Sequence, residues 1–295
     1  MTGRVVSVAN LKGGVGKTTT VALLAEGLAA AGESVVVVDM DAGASTSVCL
    51  AGNALLCELI TTGRTLDAHL KARLVDGRDA DVMRAVRRGA SRVVQGTTPL
   101  DLSLLPCSPS LRVVERLAAR GNGGGYAEAE SAARDLLRAD LRDRLGGSYD
   151  WVIVDCPPGL SLFAEAAIAA SHAVVVATVP EYLSTFGLSA FVDSLWSRPA
   201  DEGPAPEARP MVLATRVQAT ETHHRDTLED LRAAAAAEGS RFGMFETVVP
   251  KSAQLASALE PPAGPVGYKS KYGRSVRDDV VAPLLAELRE AVHGR

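Results

Sequence analysis

The fold prediction rests on the segment Lys12-Gly-Gly-Val-Gly-Lys-Thr-Thr19, in which glycines, lysines and threonines lie together. It follows an apolar stretch at residues 5–9 and opens an Ala/Leu-rich stretch that ends at Gly32. A strand, a glycine-rich turn and a helix in this order match the G-x-x-x-x-G-K-[ST] phosphate-loop pattern, except at its first glycine. Glycines let backbone N–H groups turn toward a polyphosphate, and the following helix presents its positive N-terminus to it.

Two side chains of this loop are expected to act directly on a bound nucleotide. Lys17 supplies a positive point charge to the phosphates, and the Thr18 hydroxyl is a ligand for magnesium. The remaining loop residues complete the predicted nucleotide-binding set with their backbone, and they are Gly13, Gly14, Val15, Gly16 and Thr19. A glycine-rich turn with two solvated lysines is the alternative interpretation.

Two further apolar stretches end in carboxylates. Residues 35–38 are all valine and lead to Asp39 and Asp41, and residues 151–154 lead to Asp155. Such β-branched stretches are typical of buried parallel strands, which deliver their last side chains to the carboxyl edge of the sheet. An apolar strand that ends in Asp is the Walker B arrangement, in which the carboxylate holds magnesium. For Asp39 and Asp41, a helix cap and a solvated turn remain the alternative.

Strands and helices alternate along the chain, which predicts a doubly wound α/β fold with a mostly parallel sheet flanked by helices. Strands are predicted at 4–9, 34–39, 101–106, 151–155, 173–179, 211–216 and 244–249, and helices at 17–31, 127–145, 161–171, 185–197, 224–238 and 278–292. Residues 1–295 are predicted to form a single domain. It carries a helical excursion at about 53–100, interpreted as a solvated helical face, and a surface loop at about 198–210.

Composition supports an ordinary globular chain. Its 295 residues are 47% hydrophobic and 22% charged, with a formal net charge of −4. The four cysteines are scattered without metal-ligand spacing, which favours reduced thiols in a cytoplasmic protein. No apolar stretch that spans a membrane is expected, and the C-terminal helix is predicted to pack against the sheet rather than bind a membrane surface.

The phosphate loop resembles that of the ParA/MinD group of deviant Walker A ATPases, a SIMIBI-type branch of the P-loop NTPases, with ParA-like partition proteins the closest. Three later stretches resemble the same group: Asp155-Cys-Pro-Pro158, residues 179–188 and residues 248–252. The resemblance implies that Lys12 is a signature lysine, which reaches across a dimer interface to the partner's nucleotide. It assigns Lys17, with Lys12, to the phosphates and Asp41 to the attacking water.

The same resemblance extends to the metal and the base. It implies ATP and Mg²⁺ as cofactors, with Thr18 and Asp155 holding the metal and Asp39 near its shell. Arg216 and Pro250 are expected beside the base. One departure is clear, because the group has Pro-Gln after its second aspartate where this chain has Ala42-Gly43. The contacts of that segment are therefore not transferred from the family.

The implied function is a slow, partner-stimulated ATPase that forms an ATP-sandwich homodimer, binds duplex DNA non-specifically and is reset by hydrolysis. A ParB-like or other small protein is the expected stimulating partner, and no membrane is involved. The alternatives are a MinD-like positioning or scaffold ATPase without DNA binding, and a metabolic P-loop enzyme. The predicted DNA contacts are the basic residues of the C-terminal part, although a lysine cluster that only keeps the surface soluble is the competing interpretation: Lys251, Lys269, Lys271, Arg274 and Arg277.

Overall fold

The computed structural model describes residues 3–120, 125–197, 204–261 and 263–293. Its strands, in chain order, are β1 (Arg4–Asn10), β2 (Val35–Asp39), β3 (Val93–Gln95), β4 (Thr98–Pro99), β5 (Leu102–Leu105), β6 (Trp151–Pro158), β7 (Ala173–Thr178), β8 (Pro210–Val217), β9 (Gly243–Met244), β10 (Val249–Pro250) and β11 (Val266–Gly267).

Eight of these strands form one sheet in the order β10-β8-β7-β1-β6-β2-β5, with β9 also paired to β8. Every pairing in this sheet is parallel, as the sequence predicts. β1 lies in the middle between β6 and β7. The carboxyl ends of β1, β2 and β6 therefore meet at one edge, which is where ligands bind in such sheets.

Helices cover both faces of the sheet. They are α1 (Lys17–Ala30), α2 (Ser45–Thr61), α3 (Leu66–Leu70), α4 (Leu111–Arg120), α5 (Gly125–Arg138), α6 (Leu162–Ala170), α7 (Tyr182–Trp196), α8 (Thr222–Ala236), α9 (Ala253–Ala258), α10 (Tyr268–Ser275) and α11 (Ala282–His293). Three π-helical stretches, Lys71–Val75, Ala139–Leu145 and Val276–Val281, extend α3, α5 and α10, and Val82–Arg84 is a 3₁₀ turn.

The valine stretch of β2 shows why the sheet is covered on both sides. Val36 and Val38 belong to the core formed with α3 to α7, whereas Val35 and Val37 belong to the core formed with α1, α10 and α11. None of the four is exposed to solvent. Successive side chains of a strand point to opposite faces, so an unbroken apolar stretch requires a layer on each side. The doubly wound fold predicted from the sequence is confirmed.

The stretch at 53–100 differs from the helical excursion predicted there. It is helical as far as Val75, and after the 3₁₀ turn it forms the β3–β4 hairpin instead. β3 also pairs in parallel with β11, giving a small three-stranded sheet. Val93 and Val94 favour a strand, and Gly96 supplies the left-handed turn with φ 65°. The first residues of the surface loop predicted at about 198–210 lie outside the described residues, and 204–209 have no regular structure.

One stretch, Ser45–Val75, passes a test of length and mean hydropathy for a membrane-spanning helix. The expectation that no stretch spans a membrane stays a prediction. The evidence for a span is weak, because core helices of soluble proteins pass the same test. Gly52 has non-helical backbone angles inside α2, and a turn separates α2 from α3. In α11, by contrast, Leu284, Leu285 and Leu288 are buried in the core beside α1, as predicted for that helix.

Candidate nucleotide-binding site

The phosphate loop connects the central strand β1 to α1. Gly14 and Gly16 have φ values of 75° and 88°, in the left-handed region that favours glycine. A Cβ added at Gly16 would lie 3.3 Å from the Thr215 side chain, a tight contact that adds to the backbone strain of a larger residue there. The Thr215 hydroxyl in turn donates a hydrogen bond to the Val15 carbonyl. The loop therefore has the turned, tightly supported backbone that a phosphate cradle needs.

Lys17 begins α1 and lies under the loop. Only 7% of it is exposed, and its Nζ donates a hydrogen bond to the Lys12 carbonyl at 3.2 Å. Burial lowers the pKa of Lys17, while the nearby Asp155 and Asp41 carboxylates oppose that shift. These carboxylates stabilise the positive charge of Lys17 beside the loop, at the place where we expect the phosphate oxygens of a nucleotide to lie.

Asp155 lies at the carboxyl end of β6 and faces the start of α1. Its Oδ2 accepts hydrogen bonds from the Thr18 hydroxyl, at 3.1 Å, and from the Thr46 hydroxyl. Its Oδ1 is buried and has no hydrogen-bond partner among the described residues. Burial raises the pKa of Asp155 to about 6. A buried carboxylate oxygen without a partner, next to a threonine hydroxyl, fits a site for Mg²⁺ or for its bound water.

Asp39 ends β2 and lies directly opposite Asp155 of β6. Its Oδ2 accepts hydrogen bonds from the backbone N–H and hydroxyl of Ser47, at 2.8 and 2.7 Å, and its Oδ1 accepts from the Asp41 N–H. Oδ2 thus holds the start of α2 and Oδ1 holds the turn at Asp41, and a place for Asp39 near the metal shell stays a prediction. Burial and the neighbouring Asp155 carboxylate raise the pKa of Asp39 to about 7.

Asp41 lies just beyond β2, in the turn that leads to α2. Its Oδ1 accepts a hydrogen bond from the Gly43 N–H at 2.9 Å, and its side chain lines the cleft above the phosphate loop. Ala44, the next turn residue, has a φ of 51°, which is unusual for a residue with a Cβ. The Ala42-Gly43 segment, in which the chain departs from the family pattern, thus forms a tight turn that fixes the Asp41 carboxylate. Its role toward water stays a prediction.

A cleft of about 910 Å³ opens above the loop, within the size range of small-molecule sites. Arg216 and Pro250 line it, as predicted for the base-binding residues. The Arg216 guanidinium donates to the Gly14 carbonyl at 2.8 Å, and its backbone φ is 53°. Five further residues line the cleft and were not predicted from the sequence, although the 248–252 stretch indicated this region: Gln218, Ser252, Leu255, Ala256 and Leu259.

Among the described residues, no group of three or more His, Cys, Asp or Glu side chains is arranged to hold a metal ion. This agrees with a magnesium site of the phosphate-loop type. Mg²⁺ keeps several waters and takes substrate phosphates as ligands, so that one or two protein oxygens are enough. Thr18 and Asp155 are the residues whose positions fit that need.

The AAA_31 family model, described as an AAA domain, matches residues 3–197. The chain belongs to this ParA/MinD-type family. The chromosome partitioning protein ParA of Caulobacter vibrioides is 28% identical over 260 residues, which cover 86% of this chain and 83% of that protein. The resemblance recognised in the sequence is therefore confirmed.

Two solved structures show the same fold over nearly the whole chain. The cobyrinic acid a,c-diamide synthase of Mycobacterium smegmatis, with bound ADP and magnesium, is 26% identical with a TM-score of 0.70, covering 99% of this chain and 97% of the other. The ParA of pNOB8, bound to nonspecific DNA, is 18% identical with a TM-score of 0.63, covering 98% and 97%. The first structure agrees with the prediction of ATP and Mg²⁺ as the cofactors of this family.

The signature lysine of the family, Lys12, has partners within its own chain. Its Nζ donates to the Ser184 hydroxyl at 3.0 Å and lies 3.6 Å from a carboxylate oxygen of Glu181. Ser184 lies in the first turn of α7 and Glu181 is its N-cap residue, both in the 179–188 stretch that supported the resemblance. The side chain remains 46% exposed. The crossing of Lys12 to a second subunit stays a prediction.

The basic residues predicted to contact DNA differ in exposure and in their partners. Lys271 is buried, and its Nζ lies 2.8 Å from Glu26, while Lys251 lines the nucleotide cleft. Arg274 pairs with Asp278, and Arg277 donates to the Gly273 carbonyl. The Lys271 ammonium group is therefore occupied by Glu26, while DNA contact by Lys251, Arg274 and Arg277 stays a prediction. Lys269 is exposed.

Proposed function

We propose that this chain is a ParA-like ATPase that binds Mg-ATP in the cleft above the phosphate loop. The observation that carries the proposal is the convergence at one sheet edge of Lys17, Thr18, Asp41 and Asp155, which the chain supplies from β1–α1, β2 and β6. Family membership supports the nucleotide, and the Mycobacterium smegmatis complex with ADP and magnesium supports the metal.

The chain's own groups have separate tasks in this proposal. The left-handed loop backbone at Gly14 and Gly16 presents N–H groups to the phosphates, and Lys17 holds their negative charge. Thr18 and Asp155 hold Mg²⁺, which when bound neutralises charge on the phosphate oxygens. Asp41 orients the attacking water, since its carboxylate is fixed by the Gly43 N–H at the mouth of the cleft.

Two copies of the chain then enclose the nucleotides, with Lys12 contacting the phosphates of the second subunit. The ATP-bound homodimer binds duplex DNA without sequence preference, and hydrolysis returns it to a free monomer. A small ParB-like protein stimulates this step. The ParA of pNOB8 bound to nonspecific DNA and the ParA of Caulobacter vibrioides support this cycle by similarity. The protein would work in the cytoplasm, in association with the nucleoid.

The proposal is tested by sedimentation and by binding to random-sequence duplex DNA, each with ATP, with ADP and without nucleotide. We expect dimers and DNA binding with Mg-ATP only, and a loss of both when Lys17 is replaced by Ala. A monomer in all three states, with ATP turned over normally, would contradict the dimer switch while leaving the ATPase in place.

A second candidate is an ATP-dependent enzyme that forms amides from carboxylic acids. The similarity to the cobyrinic acid a,c-diamide synthase, at 26% identity over almost the entire chain, favours it. ATP turnover that rises with a polycarboxylic acid substrate and an ammonia donor, and not with DNA, would support this candidate over the first.

A further inference from the structure

Two segments without acidic residues meet at the small three-stranded sheet. Residues 82–100 contain four arginines and no Asp or Glu, and residues 261–277 contain four basic residues and again no acid. β3 lies in the first segment and β11 in the second, and they pair in parallel with Val266 opposite Val93. Positive charge from two distant parts of the chain is thus brought to one place.

Three exposed cations lie in these two segments, and we call them together the hairpin surface: Arg88, Arg92 and Lys269. Arg92 directly precedes β3, and its Nη1 donates to the Ala263 carbonyl at 2.7 Å, while its own carbonyl accepts from the Val266 N–H. Lys269 lies two residues after β11, in the first turn of α10. Unlike Lys271, which is bound to the buried Glu26, Lys269 points into solvent.

The surface has a fixed scaffold beneath it. Ala90, Val93 and Leu100 are buried in the core that α1, α10 and α11 share. The hydrogen bonds of Arg87 with Leu104, and of Ala90 with Leu102, attach the same segment to the sheet edge at β5. Cations on a rigid scaffold lose less conformational freedom on binding than cations on a loose loop.

The hairpin surface is also connected to the nucleotide cleft. α9 lines the cleft with Leu255, and the chain runs from α9 through a short loop into β11. The Gln254 side chain of α9 lies directly against Gly273 of α10. A change in α9 on nucleotide binding would therefore act on the segment that carries Lys269.

We propose that the hairpin surface binds the phosphate backbone of duplex DNA and that the nucleotide in the cleft controls this binding through α9. The inference rests on the proposed ATP-dependent DNA binding and gives it a location that shares only Lys269 with the predicted C-terminal cluster. Each cation that neutralises a phosphate releases a counterion, so binding through this surface weakens as salt rises. Its three cations read no sequence, because phosphate contacts position a protein without specifying bases.

The test is fluorescence anisotropy on random-sequence duplex DNA over a salt series, with ATP and with ADP. The test variant is Arg88→Ala with Lys269→Ala, and the matched control is Arg225→Ala with Arg232→Ala. The control removes the same charge from α8, which packs on the opposite face of the sheet. With ATP, we expect the test variant to bind about tenfold more weakly and the salt slope to fall by about two, while the control matches wild type.

The outcomes separate the location from the function. If wild type binds no DNA with any nucleotide, both the proposed DNA binding and this inference are overturned. If wild type binds DNA and the test variant binds it equally well, only the location at the hairpin surface is wrong. Equal binding of wild type with ATP and with ADP would show that the nucleotide does not regulate DNA binding through α9. Binding of wild type to vesicles of anionic lipid but not to DNA would also overturn the inference. Unchanged ATP affinity of the test variant shows that its cleft is intact.

Discussion

The Lys12 ammonium group donates a hydrogen bond to the Ser184 hydroxyl at 3.0 Å, 172 residues further along the chain. Ser184 is 2% exposed, and Glu181 adds a carboxylate 3.6 Å from the same ammonium group. In the monomer, the start of α7 therefore holds Lys12, which in the proposed dimer contacts the phosphates of the second subunit. If Lys12 crosses to a second subunit, it must first leave these two partners.

Ser184→Ala combined with Glu181→Gln is expected to strengthen ATP-dependent dimerisation. The two substitutions remove contacts made in the monomer, and an exposed ion pair with one hydrogen bond contributes about 1 kcal/mol, or roughly a fivefold change in the dimer dissociation constant. Sedimentation with Mg-ATP measures that constant. The control is Thr185→Ala, whose exposed hydroxyl bonds only to the Tyr182 carbonyl. A weaker dimer in the double variant would show that α7 acts in the dimer instead.

Asp41→Ala is expected to lower ATP hydrolysis by about a hundredfold or more while leaving ATP binding intact, since the carboxylate is assigned to water and not to the phosphates. Lys17→Ala is its counterpart, and there we expect the loss of nucleotide binding itself. Single-turnover hydrolysis and equilibrium binding of a fluorescent ATP analogue separate the two effects. Normal turnover by Asp41→Ala would refute the role given to this residue.

The buried Asp39 and Asp155 carboxylates predict that the protein without nucleotide is less stable at higher pH. Burial and the Asp155 charge raise the pKa of Asp39 from 3.8 to about 7, so the folded state holds more protons than the unfolded state between those values. The free energy of unfolding then falls as pH rises through that window. We expect the melting temperature near pH 5 to exceed that near pH 7.5 by about 3 °C or more.

Asp39→Asn should flatten this pH dependence, because the amide removes the ionisable group and keeps an acceptor for Ser47. The exposed Asp226→Asn serves as the control and should leave it unchanged. Thermal unfolding in a chelator measures both. Stability that rises with pH over the same window would contradict the assignment.

Lys271→Met is expected to destabilise the fold by about 3–5 kcal/mol, because it leaves the Glu26 carboxylate buried without its charged partner. Glu26 is fully buried in α1 and accepts hydrogen bonds from Lys271 and from the Tyr272 hydroxyl, at 2.8 and 2.7 Å. Urea unfolding measures the loss. Lys269→Met, two residues away and exposed, should change the free energy of unfolding by less than about 0.5 kcal/mol. Equal effects of the two substitutions would show that the ion pair does not stabilise the fold.

The order of strand, glycine loop and helix around Lys17 could be predicted from the sequence, because each of these elements depends on residues close together in the chain. The valines of β2 and the apolar stretch of β6 similarly predict buried parallel strands. Parallel strands end at one edge, so the neighbourhood of Asp41 and Asp155 followed from the strand assignments alone. The hairpin at residues 93–99 was missed, since its two short strands have little periodicity and are stabilised by β11.

Tertiary structure alone decided which charged side chains are available to contact a ligand or a partner and which are paired within the fold. Lys269 and Lys271 are the same residue type two positions apart. The Lys271 side chain is nevertheless buried, because the fold places Glu26, 245 residues earlier in the chain, directly beside it. Asp39 similarly accepts hydrogen bonds from Ser47 through one oxygen and from the Asp41 N–H through the other, and Lys12 lies against Ser184. The local sequence determines which helices and strands form, because helix hydrogen bonds close over a few residues and the apolar pattern that marks a strand is local even though its pairing is not. Burial and pairing of charges depend on contacts between distant segments, and these exist only once the sheet and its helices are assembled.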